Sequence, residues 1–172
     1  MIKLYAPKQW IVLWQLRFAQ LAENGVHLSE NAIPTVPGLP ENDEYEWDMN
    51  HIDEVYLSGG GGFWLAWQDE EPVGYVGAQD LGEVVELRRM YVKAAHRRQG
   101  IGTLLVQALI KHCREQGMKA VELWTPEDGE GRLLYNRLGF QTVDSPLLGF
   151  EAVEQATRRG PNHQEIRMRL AL

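Results

Sequence analysis

The sequence predicts an α/β fold on a mixed sheet of six or seven strands, with antiparallel strands at the N-terminal end, a parallel pair in the middle and helices on both faces. Three observations carry this. The stretch from Val84 to Leu109 changes period: Val84 to Val92 is β-branched and aromatic, whereas Ile101, Leu104, Leu105, Ala108 and Leu109 recur at helical spacing. Lys119 to Thr125 reads as another strand, and strand, helix, strand with a right-handed crossover makes the two strands parallel. Before Val84, Trp64 to Gln68 and Pro72 to Ala78 are separated only by Asp69-Glu70-Glu71, a connection short enough for an antiparallel hairpin and too short for anything else. At 172 residues and 44% hydrophobic composition, residues 1–172 make one domain.

In chain order, Ile2 to Tyr5 starts an edge strand ended by Pro7. Trp10, Leu13, Trp14, Phe18 and Leu21 form one helical stripe, closed by Gly25. Residues 31–40 hold three of the eight prolines and are expected to form an irregular loop able to carry binding residues. Asp43 to Leu57 is predicted as a second helix from the spacing of Trp47, Ile52, Val55 and Tyr56. Gly59-Gly60-Gly61-Gly62 lacks the Gly-Lys-Ser/Thr of a phosphate loop and leads into a strand, so a flexible connector is expected. Within the Val84 strand, Val85 and Leu87 share one phase and Met90 and Val92 the other, which predicts an extra residue at Arg88 or Arg89, a β-bulge.

The helix after this strand runs to Gln116 and stops at Gly117, with Gln107, Lys111, Arg114 and Glu115 outward. Asp128 to Leu138 gives a short helix closed by Gly139, with Phe140 in the apolar contact that accompanies such an ending. Gln141 to Val143 begins a strand, Glu151 to Arg159 is expected as a helical insertion, and His163 to Leu170 alternates as a final strand.

Net charge is −7, which argues against a nucleic-acid partner, and the distribution says more. Residues 18–87 contain no Lys or Arg and 15 of the 24 acids, while residues 88–172 hold 14 basic groups against 9 acids. One half suits a polyanion; the other is either a site for a cation or a solvated face. Between the Val84 strand and its helix lies Arg97-Arg98-Gln99-Gly100-Ile101-Gly102. Its glycines permit close backbone approach, the first N–H groups of the helix lack intrahelical acceptors, and two guanidinium groups stand beside them, a combination suited to a pyrophosphate.

This turn resembles the Gln/Arg-x-x-Gly-x-Gly/Ala signature of the GNAT acyltransferase superfamily. Glu86-Leu87-Arg88-Arg89-Met90-Tyr91-Val92 looks like that family's central strand, and Tyr135-Asn136-Arg137-Leu138-Gly139-Phe140 resembles its second motif, so the resemblance runs from Phe63 to Phe140. It implies an N-acetyltransferase with acetyl-CoA as co-substrate, whose central strand is splayed from its parallel neighbour by a bulge to admit the pantetheine arm. The same resemblance implies that Met90, Tyr91 and Val92 pair with the arm through their backbone, and that Arg97, Arg98, Gln99, Gly100, Ile101, Gly102 and Thr103 hold the pyrophosphate. Asn136 either bonds the pantetheine or is an exposed helix residue. Many members carry Asn seven residues before the motif tyrosine; this chain has Asp128.

Acyl transfer from a thioester to an amine needs a bound donor, a neutral nucleophile and a proton or hydrogen bond for the departing thiolate. Tyr135 is the candidate for the last, since a phenol of reference pKa about 10 can donate to a thiolate of reference pKa about 8.5 while staying protonated; its other reading is a core tyrosine. Glu86 lies in the central strand where, by the resemblance, several members carry a catalytic Glu, which makes it the candidate base, acting directly or through water; its other readings are that it only positions water or pairs with an arginine. Arg88 and Arg89 either contact the donor or balance the acidic half. A dinucleotide fingerprint at Gly100-x-Gly102 fails because Leu105 occupies the third glycine's place and Glu122 is mid-strand. A non-catalytic acyl-CoA-binding or sensor module of the same fold is the alternative to an enzyme. The single cysteine, Cys113, is expected to be buried and unreactive, and His27, His51, His96, His112 and His163 show no ligand spacing with it, so no metal is expected. The expected acceptor is a small cationic amine or, as the alternative, a protein N-terminus; a second copy of the chain in a homodimer is the other expected partner, with no nucleic acid and no membrane. Trp10 to Leu16 is apolar but broken by Gln15 and Arg17, which with the lone cysteine leads to the expectation of a cytoplasmic protein.

Overall fold

A computed structural model describes residues 1–26, 47–143 and 165–172. Seven strands, β1 (Ile2–Leu4), β2 (Gly62–Gln68), β3 (Glu71–Asp80), β4 (Val84–Val92), β5 (Ala120–Pro126), β6 (Gln141–Val143) and β7 (Glu165–Ala171), form one sheet in the order β1-β2-β3-β4-β5-β7-β6. Neighbours are antiparallel except for β4 and β5, which are parallel. The helix α4 (Ile101–Glu115) connects that pair, as a parallel connection requires. This is the predicted mixed sheet, with seven strands.

Strand alternation builds two cores. On one face Phe63, Leu65, Tyr75 and Tyr91 pack with Trp10, Leu13 and Trp14 of α1 (Trp10–Glu23) and with Met49, Ile52 and Val55 of two short helices, α2 (Trp47–Asn50) and α3 (Ile52–Val55). On the other, Trp64, Val76, Val85, Leu87 and Leu123 pack with Leu105, Val106, Leu109 and Cys113 of α4 and with Tyr135 of α5 (Glu130–Arg137). No helix among the described residues is long and apolar enough to cross a membrane.

Several local expectations change. The helix predicted over Asp43 to Leu57 is two single turns that part at His51, with φ −123; residues 43–46 lie outside the described residues. The stripe on α4 is shifted: Leu105, Val106, Leu109, Ile110 and Cys113 are buried and Leu104 is exposed. The four glycines are not a flexible connector. The Gly60 N–H donates to Asp80 Oδ2 at 2.7 Å, His112 Nε2 lies 2.8 Å from the Gly61 carbonyl oxygen, and Gly62 already belongs to β2. A Cβ on Gly61 would sit 2.6 Å from the carbonyl oxygens of both Ala78 and Tyr56, so close backbone packing demands glycine there. The final strand, described from Glu165 onward, lies between β5 and β6, an order with no local signal. The predicted loop at 31–40, the insertion at 151–159, His27 and His163 lie outside the described residues.

Candidate active site

The parallel seam is short. β4 and β5 pair at Val84 with Ala120, Val85 with Val121 and Glu86 with Glu122, and then separate. The cause lies in β4. Tyr91 pairs with Tyr75 of β3 and Arg88 with Gly77, so Arg89 and Met90 stand opposite Val76 alone. Arg89 has φ 53, the left-handed conformation that inserts one residue into a strand. The insertion returns Met90 and Val92 to the core face already occupied by Val85 and Leu87, which is the predicted phase slip.

Where the strands part, a cleft of about 1080 Å³ opens, lined among others by Glu86 and Met90 of β4, Thr125 of β5, Tyr135 of α5, Arg17 of α1 and Glu165 of β7. The two residues predicted to carry the chemistry therefore face one cavity. Glu86 is 1% exposed and neighbours Glu122 across the seam. The Glu122 carboxylate is held by Arg169 Nη1 at 2.6 Å and Arg167 Nη2 at 3.4 Å, a buried acid with two guanidinium partners. Tyr135 is 5% exposed. It packs edge-on against Phe140, with ring centroids 5.6 Å apart, and it also lines the cleft. Gly139, at φ 91, and the Phe140 N–H donating to the Tyr135 carbonyl at 3.0 Å form the predicted helix ending.

The turn over residues 97–102, the expected pyrophosphate cradle, abuts this cleft. Gly100 caps α4 at φ 82, and the Leu104 N–H is bonded to its carbonyl at 3.1 Å. The N–H groups of Ile101, Gly102 and Thr103 precede that first intrahelical donor and have no acceptor within the helix. A Cβ on Gly102 would lie 3.1 Å from Met90 Cε and 3.4 Å from Leu134 Cδ2, so α4 begins directly against the cleft strand and α5. Gln99 and Arg98 are exposed, and Arg98 lies 3.7 Å from Glu130 at the start of α5. Arg97 is tied inward: its Nε donates to the Val92 carbonyl at 2.8 Å and its Nη2 pairs with Glu23 at the end of α1. Glu23 also accepts from the Ala94 N–H at 3.0 Å and the Tyr91 hydroxyl at 2.8 Å. Burial raises the pKa of the Glu23 carboxyl, but these hydrogen bonds and the charge of Arg97 outweigh it and leave the pKa below the usual range.

The backbone of β4 sorts the residues expected to meet the arm. The Lys93 N–H donates to the Val73 carbonyl at 2.9 Å and Tyr91 pairs with Tyr75, so Tyr91 turns its backbone groups toward β3. Val92 turns its own to the splayed side, where Arg97 occupies the carbonyl. Tyr91 thus turns its backbone groups away from the splayed side, and Asn136 is exposed on α5 and does not line the cleft.

The bulge itself is clamped. Arg89 Nε and Nη2 donate to Asp48 Oδ2 at 2.8 Å and Oδ1 at 2.5 Å, and the Tyr56 hydroxyl donates to the same carboxylate. Burial raises the Asp48 pKa, yet the charge and hydrogen bonds of Arg89, with Arg88 nearby, outweigh it and hold the carboxyl at about 2. Burial and Asp48 push the Tyr56 phenol well up.

Sequence reasoning missed Arg17, 4% exposed and lining the cleft, because it reads as the polar break in an apolar run. Thr125 was findable from its place near the carboxyl end of a parallel strand. The described lining carries Arg17, Arg88 and Arg89 beside Glu86, Asp128 and Glu165, so both signs of charge face the cavity. Burial, with the charge of Asp80, pushes the Cys113 thiol up to about 12, which makes it inert. No group of three His, Cys, Asp or Glu able to hold a metal occurs among the described residues.

Residues 27–140 match the Acetyltransferase (GNAT) family. Rat N-acetyltransferase 8F1 is 35% identical over 108 residues, 59% of this chain and 49% of its own, and human N-acetyltransferase 8 is 35% identical over 102 residues, 55% of this chain and 45% of its own. The chain thus spans about half the length of the curated relatives it matches. An acetyltransferase of the GNAT family from Staphylococcus aureus has a TM-score of 0.73 at 22% identity, covering 100% of this chain and 98% of that one. The PaiA N-acetyltransferase of Thermoplasma acidophilum, solved in complex with coenzyme A, has a TM-score of 0.64 at 17% identity over 100% of this chain and 98% of that one. At such identities these structures speak for the fold, and the match over 27–140 speaks for descent: this chain belongs to the GNAT acetyltransferase family.

Proposed function

We propose that the chain is an N-acetyltransferase that moves the acetyl group of acetyl-CoA to the amine of a small molecule by direct attack within a ternary complex. One observation carries the reading: Glu86 and Tyr135 line a single cleft that opens where β4 and β5 part. The names of the curated relatives and the coenzyme A held by the Thermoplasma relative support it.

Acetyl-CoA supplies the activated acyl group. The amides from Gly100 to Thr103, with Arg97, Arg98 and Gln99, take its pyrophosphate, and the exposed backbone edge of Met90 and Val92 takes the pantetheine. The Glu86 carboxylate accepts the proton of the attacking amine, and the Tyr135 hydroxyl donates to the departing sulfur. Glu86, Asp128 and Glu165 face an ammonium-bearing acceptor, and Arg17 orders the same wall. The reading places the reaction in the cytoplasm, in a homodimer, with neither nucleic acid nor membrane as partner.

Thermal unfolding with ligand tests it. Acetyl-CoA at a hundredfold over its Kd is expected to add about 2.7 kcal/mol of stability, and a panel of small amines should then release free thiol. No stabilisation overturns the donor assignment. Stabilisation without thiol release across the panel makes the protein a binding module.

A further inference from the structure

The cleft depends on a backbone conformation that arginine does not favour. A residue other than glycine in the left-handed region costs about 1–3 kcal/mol and persists where its surroundings over-determine it. At Arg89, φ 53, those surroundings are on view. Asp48, 5% exposed and 41 positions earlier, takes the guanidinium through two parallel hydrogen bonds, and Tyr56 fixes the carboxylate from behind. A fork held at two points sets the direction of the arginine side chain as well as its position. Turning Arg89 back to an extended conformation would pull its guanidinium out of a buried carboxylate.

The apolar pattern does not do this work alone. Val85, Leu87, Met90 and Val92 require one extra residue between Leu87 and Met90, but Arg88 and Arg89 satisfy that requirement equally. The two positions differ in their partners. Arg88 Nη1 donates to Gln79 at 2.9 Å, on the neighbouring strand, while Arg89 reaches the helix layer. Placing the insertion at Arg89 decides where the backbone of Met90 and Val92 meets the splayed side.

We propose that the Asp48–Arg89 clamp selects the site of the bulge and so holds β4 in register for the pantetheine arm, which makes Asp48 a positioning residue although it does not line the cleft. This rests on the acetyl-CoA reading above.

The experiment compares two ligands, coenzyme A and adenosine 3′-phosphate 5′-diphosphate, which keeps the pyrophosphate and lacks the arm. Their dissociation constants are measured by calorimetry on wild type, Asp48→Asn, Arg89→Gly and Arg89→Val. Asp48→Asn is expected to weaken coenzyme A about tenfold and the armless nucleotide less than about twofold. Arg89→Gly, which takes positive φ freely, is expected to keep coenzyme A within about threefold of wild type, whereas Arg89→Val loses about tenfold or more. If a single variant does not fold, Arg89→Gly and Arg89→Val are compared in the Asp48→Asn background, which leaves neither charge of the pair buried alone, and that comparison decides. Equal weakening of both ligands, no change in a folded Asp48→Asn, or equal coenzyme A affinity in the Gly and Val variants overturns the inference. A wild type that binds neither ligand overturns the acetyl-CoA reading and this inference with it.

Discussion

Two arginines bracket the end of the central strand, and they are tied down in opposite settings. The Arg89 side chain is 14% exposed and meets a carboxylate, Asp48, that is 7% exposed. The Arg97 side chain is 44% exposed and meets Glu23 at 29%. Burial decides what each pair does. Breaking a buried pair strands a charge in the interior, whereas a pair in contact with water is screened and contributes little. The strong pair therefore sits where strand geometry must not change, and the weak one sits at the cradle, where Arg97 has to exchange Glu23 for a phosphate if it is to serve the donor.

The largest expected effect is the stability difference between the two carboxylates. Asp48→Ala should cost about 3–5 kcal/mol, and Glu23→Ala less than about 1 kcal/mol, both by urea denaturation. Comparable losses would break the contrast. Acid sharpens it. Asp48 has a folded-state pKa of about 2, below its unfolded value of 3.8, so its contribution is fully present above the unfolded value and is lost as pH falls through the folded one. Between about pH 4 and about pH 2, wild type should lose on the order of 2 kcal/mol that Asp48→Asn does not lose; parallel stability curves would contradict the buried ion pair. Glu23 shifts in the same direction, and its exposure makes its share smaller. The smallest structural effect is expected at Arg97. Arg97→Ala should change stability by less than about 0.5 kcal/mol and weaken coenzyme A about tenfold at low salt, with a shallower salt dependence. A large stability loss without an affinity loss would make Arg97 a purely structural group.

What could be read from the sequence was local. The phase slip in β4 lies within one strand, the turn that opens α4 within six consecutive residues, and the α5 ending in a Gly-Phe step, and each of these local structures appears where its residues put it. The two ion pairs were hidden because they join positions 41 and 74 apart in the chain, and no spacing rule connects such residues. The glycine run misled for a related reason. Glycines look like slack until the groups that crowd them are known, here Asp80, Met118 and the Ala78 carbonyl. On α4 the periodicity pointed to a stripe through Leu104, and packing against the sheet chose the neighbouring one through Val106 and Ile110. Arg17 reads in the sequence only as a break in an apolar run, whereas the cleft gives a buried cation a polar wall to face.

The central claim is that the cleft between β4 and β5 performs acetyl transfer with Tyr135 at the departing sulfur. The direct measurement is the turnover of Tyr135→Phe with an amine that wild type acetylates, beside the coenzyme A dissociation constant of the same variant. The ring and its packing on Phe140 are retained in that variant, and only the hydroxyl is lost. Turnover is expected to fall about 100-fold or more while coenzyme A affinity stays within about threefold of wild type. An unchanged turnover would make Tyr135 a core residue and contradict the account.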